Sequence, residues 1–467
     1  MQPANKRISV LSLTMLNISA IVSLSSIAYM ATIGLQSVFF YLIAAVTFLV
    51  PTSLVCAELS SMITSNNGGV FSWVRAGLGD RAGVLAMWLE WFNNVIGFPS
   101  SVTALIATVA YVGFRGFAES AQTSFTFWLV IVGTFIVISL FNFLPMRRVI
   151  LLNIIGAIFG MILPGILLIA GAVYFVNTGR SHLEFHGVGD FVPAFSLATY
   201  ALLVKTLSSY SGIQSVAFHM TNIENPQKNI PRSILLATGI IVSLTILATL
   251  SLMVVVPVGD VNVLNGLVQG ISTVLNEIGL GEMKGVVAIL VGIGMLSALS
   301  TWILGPARGM QTVAEKEFFP KIMAGKNKYG MPVNMLVIQM LIVVLLSLSF
   351  LVMPSIYAAF AMLVAITSQF TVIMWIMVFM AAIRLRFTKP DAERVFYVGK
   401  RNSNWLLVSM SLIAMFMCAL GFVLGMFPPA FSHVSNVFQY TMILVVADVI
   451  IIAIPLLWIW VHRRINA

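Results

Sequence analysis

Twelve stretches of this chain stay apolar for about 20 residues or more, the length a helix at ~1.5 Å per residue needs to cross the hydrocarbon of a bilayer. They cover residues 9–35, 37–62, 83–113, 124–144, 149–177, 193–219, 232–257, 284–312, 332–352, 355–383, 404–426 and 436–461. Lipid offers backbone groups no partner, so each stretch is expected to be a helix that closes its own hydrogen bonds. None shows the short alternating pattern of a membrane-barrel strand. With 60% hydrophobic and 9% charged residues over 467 positions and a mean hydropathy of +1.02, too little polar surface remains for a water-soluble body. The expected fold class is an all-α polytopic membrane protein with 12 transmembrane helices. The first run follows Lys6 and Arg7, as the apolar core of a signal peptide would. It is too long for one and lacks a clear small-x-small cleavage site, so a retained helix is expected.

The net charge of +10 invites a nucleic-acid reading, and its placement opposes it. With the N-terminus in the cytoplasm, 21 of the 25 Lys and Arg residues fall on the cytoplasmic side. Only Arg115, Arg180 and Lys284 fall outside, and Lys205 lies within a span. That asymmetry is the positive-inside pattern. It predicts a multi-pass protein of the plasma (inner) membrane with both termini cytoplasmic and the lipid bilayer, not nucleic acid, as its surroundings. Cys56 and Cys418 fall inside apolar runs and read as packing residues. His182 and His186 are four apart, but they lie in an outer loop among glycines. No metal and no cofactor is expected. Of the longer connections, 258–283 is expected to hold a short surface helix, and 313–331 to be a basic cytoplasmic loop.

Two spans carry dense small-polar patches near their middle: "SAIVSLSS" at 19–26 in the first and "SSYSGIQS" at 208–215 in the sixth. Many secondary transporters consist of two five-helix units related by inverted topology, each opening on a helix broken at mid-membrane. The patches fit that plan, with residues 1–177 as one unit, 178–383 as the second, and 384–467 as two extra helices. The plainer reading is that the serines bond back to their own helix or pack closely against neighbours. A break frees N–H groups that attract a carboxylate and carbonyls that attract an ammonium group. Two facing breaks therefore suit a zwitterion such as an α-amino acid. After the sixth span, Asn225-Pro226 is expected to end the helix and Pro231 to open the next.

Three motifs give this reading a family resemblance. They are "SYSGIQSVAFHMTNIENPQKNIPRS" from Ser209, "WILGPARGMQTVAEKEFFPKIMAGKNKYGMPV" at 302–333, and "AELSSMITSNNGGVFSWV" at 57–74. In order and spacing they resemble the signatures of the amino acid–polyamine–organocation (APC) superfamily, and in detail its glutamate/GABA antiporter-like branch. The resemblance implies a LeuT-type 5+5 inverted repeat plus two extra helices, with substrate held between the breaks of spans 1 and 6. Carried over by position, it implies substrate-binding roles for Ile21, Val22, Ser23, Ser208, Ser209, Ser211, Gly212 and Trp302. Span 1 departs from the family's frequent Gly-Ser-Gly. Gln214 stands where the family's Gly-x-Glu has its acidic residue, and an amide there cannot titrate.

Glu90, Lys205 and Asp448 are ionisable residues well inside spans, where such groups are rare and costly. Lys205 is a candidate to attract a second carboxylate or to respond to protons. Glu90, beside Asn93 and Asn94, is a candidate for the inner pathway or a partner of those amides. Gln214 joins them as a coupling candidate. Asp448 reads as structural or as a dimer contact, and a homodimer is one arrangement the plan allows. Glu58, at the cytoplasmic end of span 2, reads as structural. The expected function is secondary active transport of amino acids or amines by alternating access, as an antiporter exchanging an acidic amino acid for a GABA-like product. The alternative is proton- or sodium-coupled symport, with Ser297, Ser300 and Thr301 as sodium candidates. Neither the ring of charge a channel needs nor the residue set of an intramembrane enzyme is present, so no catalytic residue is expected.

Overall fold

Every regular element among the described residues is helical, as a chain that must satisfy its own backbone in lipid requires. The computed structural model describes residues 9–22, 24–63, 69–113, 125–193, 202–352, 356–401, 403–428 and 437–465. Helices α1 (Val10–Ile21) and α2 (Leu24–Ala31) precede α3 (Gln36–Met62), α4 (Val70–Leu78) and the 34-residue α5 (Asp80–Gly113). Helices α6 (Phe125–Phe141), α7 (Met146–Asn177) and α8 (Leu202–Ser209) follow, then a 3₁₀ segment, Ile213–Asn222. The second half holds α9 (Pro226–Val255), α10 (Gly266–Glu277), α11 (Lys284–Glu315), α12 (Val333–Leu351), α13 (Ile356–Thr388), α14 (Trp405–Leu424) and α15 (Val437–Ile465).

Among the described residues, nine helices are long and apolar enough to span a bilayer: α3, α5, α7, α9 and α11 to α15. Helices α1 and α6 are apolar but shorter. The chain is a polytopic membrane protein. The outward faces of α14 and α15 fit that setting, with Trp405, Phe416, Phe438 and Leu457 exposed.

Local chemistry explains the departures from regular α-helix. In α3 and α7 a π-helical turn, Ala45–Leu49 and Ile158–Ile162, comes just before Pro51 and Pro164. A proline removes one helical donor and crowds the carbonyl four residues back. Widening to i→i−5, as Val50 N–H to Ala45 O and Leu163 N–H to Ile158 O, accommodates both. The chain after the sixth span differs from expectation in detail. Pro226, not Pro231, stands in the first turn of α9, where its missing N–H is harmless. Pro231 lies inside the helix. Asn225 supplies the left-handed turn before it, with φ 43°. The connection at 258–283 does carry a helix, α10, one face of which is buried.

Small residues let α7 and α11 approach closely. A Cβ on Gly160 of α7 would lie 2.2 Å from the Gly294 nitrogen of α11 and 2.3 Å from its Cα. One on Gly294 would lie 2.4 Å from the Gly160 oxygen. Backbones in membranes approach this closely only where side chains are absent. A buried ion cluster secures the segment after α13. Glu58 Oε1 pairs with Arg386 at 3.2 Å and Arg394 at 3.3 Å, and Glu58 Oε2 accepts Val398 N–H at 2.8 Å. Arg386 also donates to Val398 O at 2.7 Å, and both guanidinium groups lie over the Tyr397 ring. Asp448 is buried in α15 against Gln369 of α13, whose amide nitrogen, turned towards it, reaches Oδ2 at 2.5 Å. Arg308, placed among the cytoplasmic charges by sequence, is buried within α11.

Candidate functional site

Each of the two serine-rich patches is a place where a helix stops short in the interior. Ser19 Oγ donates back to Leu16 O at 3.0 Å, a bond that competes with regular helix near its end. Val22 N–H closes the last turn on Ile18 O at 2.9 Å, then the chain extends at Val22 (φ −68°, ψ 99°). Helix resumes at Leu24. The second break follows the same logic. Ser209 Oγ donates to Lys205 O at 2.8 Å, Tyr210 turns, and Gly212 adopts φ 140°. A side chain is strained at that φ, and a Cβ there would lie 2.7 Å from Ile21 Cγ1.

Each break is anchored by a neighbour. Trp302 of α11 donates its indole N–H to Ala20 O at 2.9 Å, satisfying a carbonyl at the end of α1. Trp375 of α13 donates to Ser211 Oγ at 2.9 Å, and Tyr210 Oη meets Thr245 Oγ1 of α9 at 3.2 Å. The breaks also meet each other, where Ser209 Oγ and Ser26 Oγ lie 3.1 Å apart.

Between them lies a cavity of about 220 Å³. Of the residues singled out by sequence, Ile21, Val22, Lys205, Ser208, Ser209, Ser211 and Trp302 line it. Gly212 sits behind the wall, against Ala20, Ile21 and Trp302. Ser23 lies outside the described residues. Glu90 and Gln214 are also behind the wall, and they are partners: Gln214 Nε2 donates to Glu90 Oε1 at 2.9 Å. The amides beside Glu90 do not hold its carboxylate. Asn94 donates instead to the Glu90 backbone oxygen at 2.7 Å, and Asn93 and Asn94 themselves line the cavity. Sequence reasoning gave no site role to Asn93, Ser101, Thr367 or Thr371 in this wall. The Thr367–Thr371 spacing of four, which puts both on one helical face, was its available signal.

Lys205 is the one ionisable side chain among the described lining residues. Its flanking residues pack against other helices: Thr206 donates to Met30 Sδ at 3.4 Å, and Val204 lies against Gly421 of α14. The sodium candidates of α11 are engaged elsewhere. Ser297 Oγ donates to Asn153 O at 3.3 Å, Ser300 Oγ donates to Asn142 Oδ1 at 2.9 Å, and Thr301 Oγ1 donates to Ser297 O at 3.1 Å. Among the described residues, no three His, Cys, Asp or Glu side chains gather as a metal site would require.

A helix-lined polar hollow between two interrupted helices is a place for a small polar solute, and comparison with known proteins agrees. A model of the amino acid permease family matches residues 8–447. This chain belongs to that family. An uncharacterized transporter of Legionella pneumophila is 31% identical over 99% of this chain and 98% of its own length. A glutamate/gamma-aminobutyrate antiporter of Lactococcus lactis subsp. lactis is 26% identical over 98% of this chain and 91% of its own. An aspartate/glutamate permease of Lactococcus lactis subsp. cremoris is 22% identical over 64% of this chain and 62% of its own. The resemblance to the APC superfamily and its glutamate/GABA antiporter-like branch stands on these matches. The family's members are permeases and transporters, which makes a polytopic carrier of small molecules the coarse description of this chain.

Proposed function

We propose that this permease exchanges an acidic amino acid for a decarboxylated amine of GABA type by alternating access. One observation carries the choice of substrate: the cavity between the two breaks holds Lys205 as its one ionisable wall residue among those described, with no carboxylate beside it. Backbone freed at the breaks suits the α-amino and α-carboxylate groups that all amino acids share. The lysine adds an attraction for a second carboxylate and disfavours a second cation. The activity for which the Lactococcus lactis antiporter is named is in keeping with this reading.

The architecture that goes with it has twelve spans. The nine long helices are joined by the pair α1/α2, by α6, and by α8 with its 3₁₀ continuation. Residues 1–177 and 178–383 form the two inverted units of a LeuT-type fold, and both termini are cytoplasmic at the plasma (inner) membrane. Rocking one helix bundle about the fixed cavity exposes it to each side in turn. Sodium-coupled symport finds less support, since Ser297, Ser300 and Thr301 direct their hydroxyls to Asn153, Asn142 and their own helix.

Counterflow in proteoliposomes tests the reading. Vesicles loaded with unlabelled glutamate or GABA should accumulate labelled glutamate with no ion gradient, and unloaded vesicles should not. Uptake that requires an imposed sodium or proton gradient, and not internal substrate, would establish symport instead.

A further inference from the structure

Glycine inside a helix is destabilising relative to alanine, so its presence there asks for a reason. For several helical glycines of this protein the reason is a close neighbour. A Cβ on Gly156, Gly160 or Gly171 of α7, or on Gly294 of α11, would lie 2.1–2.4 Å from an atom of a facing helix. Gly133 of α6 and Gly239 of α9 are exposed, with nothing within 4 Å. Gly97 of α5 fits neither case. It is half-buried, and beyond its own stretch of helix a Cβ there meets one atom within 4 Å, Thr367 Cγ2 of α13 at 3.5 Å, an ordinary contact. Gly97 and Thr367 both line the cavity, and Gly97 is the one glycine among its described lining residues. The room that a side chain at position 97 would fill therefore belongs to the cavity. That room has apolar sides. Thr367 turns its methyl to Gly97 while its hydroxyl donates to Val364 O at 3.0 Å, and Thr371 Oγ1 donates to Thr367 O at 3.0 Å. With both hydroxyls directed to their own helix, a methyl faces a bare backbone, and such a slot takes methylene groups.

We infer that Gly97 sets the length of substrate the carrier accepts, by leaving open a slot between α5 and α13 for the two methylenes that lead to the second carboxylate. The inference rests on the acidic-substrate part of the reading above and deepens it. Glutamate and GABA share the arm –CH2–CH2–COO−, and the side chain of aspartate is one methylene shorter. Lys205 responds to charge and attracts the carboxylate of all three, so it cannot tell them apart by length. The Gly97–Thr367 slot supplies that dimension. One methylene gained or lost in an apolar pocket changes selectivity by about tenfold or more. A side chain at position 97 would favour the helix and take the space of the arm. Gly97 is a specificity-determining residue in this scheme.

Gly97→Ala and Gly97→Leu in the full-length protein test the slot. Purified protein is titrated with glutamate and with aspartate, and the readout is the ratio of the two dissociation constants. Relative to the unaltered protein, Gly97→Leu shifts the ratio about tenfold towards aspartate, and Gly97→Ala shifts it about threefold in the same direction. The thermal transition of Gly97→Ala does not fall, because alanine favours the helix and its methyl meets Thr367 at an ordinary distance. If Gly97→Leu does not fold, the alanine variant decides alone. An unchanged ratio in the folded variants, or equal weakening of both ligands, overturns the slot while glutamate binding by the unaltered protein stands. A lowered thermal transition in Gly97→Ala also overturns it, since the glycine would then serve packing. Failure of the unaltered protein to bind glutamate defeats the substrate reading, and the slot with it.

Discussion

Two residues set what the cavity can hold and how close its walls come. Lys205 brings positive charge to a wall otherwise built from hydroxyls, amides and apolar groups. A hydrogen bond to a charged partner is worth about 1.5–3 kcal/mol. Lys205→Ala should therefore raise the KM for glutamate by about tenfold to a hundredfold. Uptake of a neutral amino acid should change far less. Equal losses for both, measured side by side in proteoliposomes, would reject charge attraction. Gly212 has a different duty. Its φ of 140° and the 2.7 Å approach to Ile21 leave no room for a branched side chain. Gly212→Val should abolish transport while the protein still inserts and purifies as a single species. Normal uptake by that variant would mean that the breaks need not meet closely.

At the scale of elements, the segment after α13 is fastened to the end of α3 by the Glu58 carboxylate, and Ser61 Oγ is bonded to the Phe396 backbone beside it at 3.3 Å. Glu58 serves two arginines and one backbone N–H, all buried. Removing one member of a buried ion pair leaves uncompensated charge and costs about 3–5 kcal/mol. Glu58→Ala should lower the thermal transition of the purified protein by several degrees, and Arg386→Ala should act in the same direction. A change within error for both would show that the cluster is not holding the segment. The carboxylate was readable in the sequence as structural, but its partners were not, because Arg386 and Arg394 lie more than 300 residues away. The same limit hid the Gln214–Glu90 bond. Each residue stood out alone, one as an amide in an acidic position and the other as a charge in a span. Only the packing of α5 beside the second break joins them. Pro226 and Pro231 show a finer limit. Either can open a helix by its own chemistry, and the left-handed Asn225 before Pro226 decides between them.

For the whole molecule, the nine long apolar helices among the described residues were legible because the bilayer imposes one length and one composition on any helix that crosses it. The breaks were legible because serine and glycine clusters are the local chemistry that lets a helix stop. The cavity wall was legible only in part, since Asn93, Thr367 and Thr371 come from helices that no short motif marks as neighbours. The charge asymmetry gives a whole-molecule prediction. Reporter fusions at residues 1 and 467 should both report the cytoplasm, and one at Arg180 should report the outside. A split result for the two termini would require an odd number of crossings.

The Gly160–Gly294 contact also says where motion cannot occur. Two backbones touching with no side-chain layer between them leave little slack for either to shift alone, so α7 and α11 are expected to travel together. The pivot for opening the cavity then falls at seams padded by side chains. The boundary between α11 and α1, spanned by the Trp302 indole and the Ala20 oxygen, is one such seam.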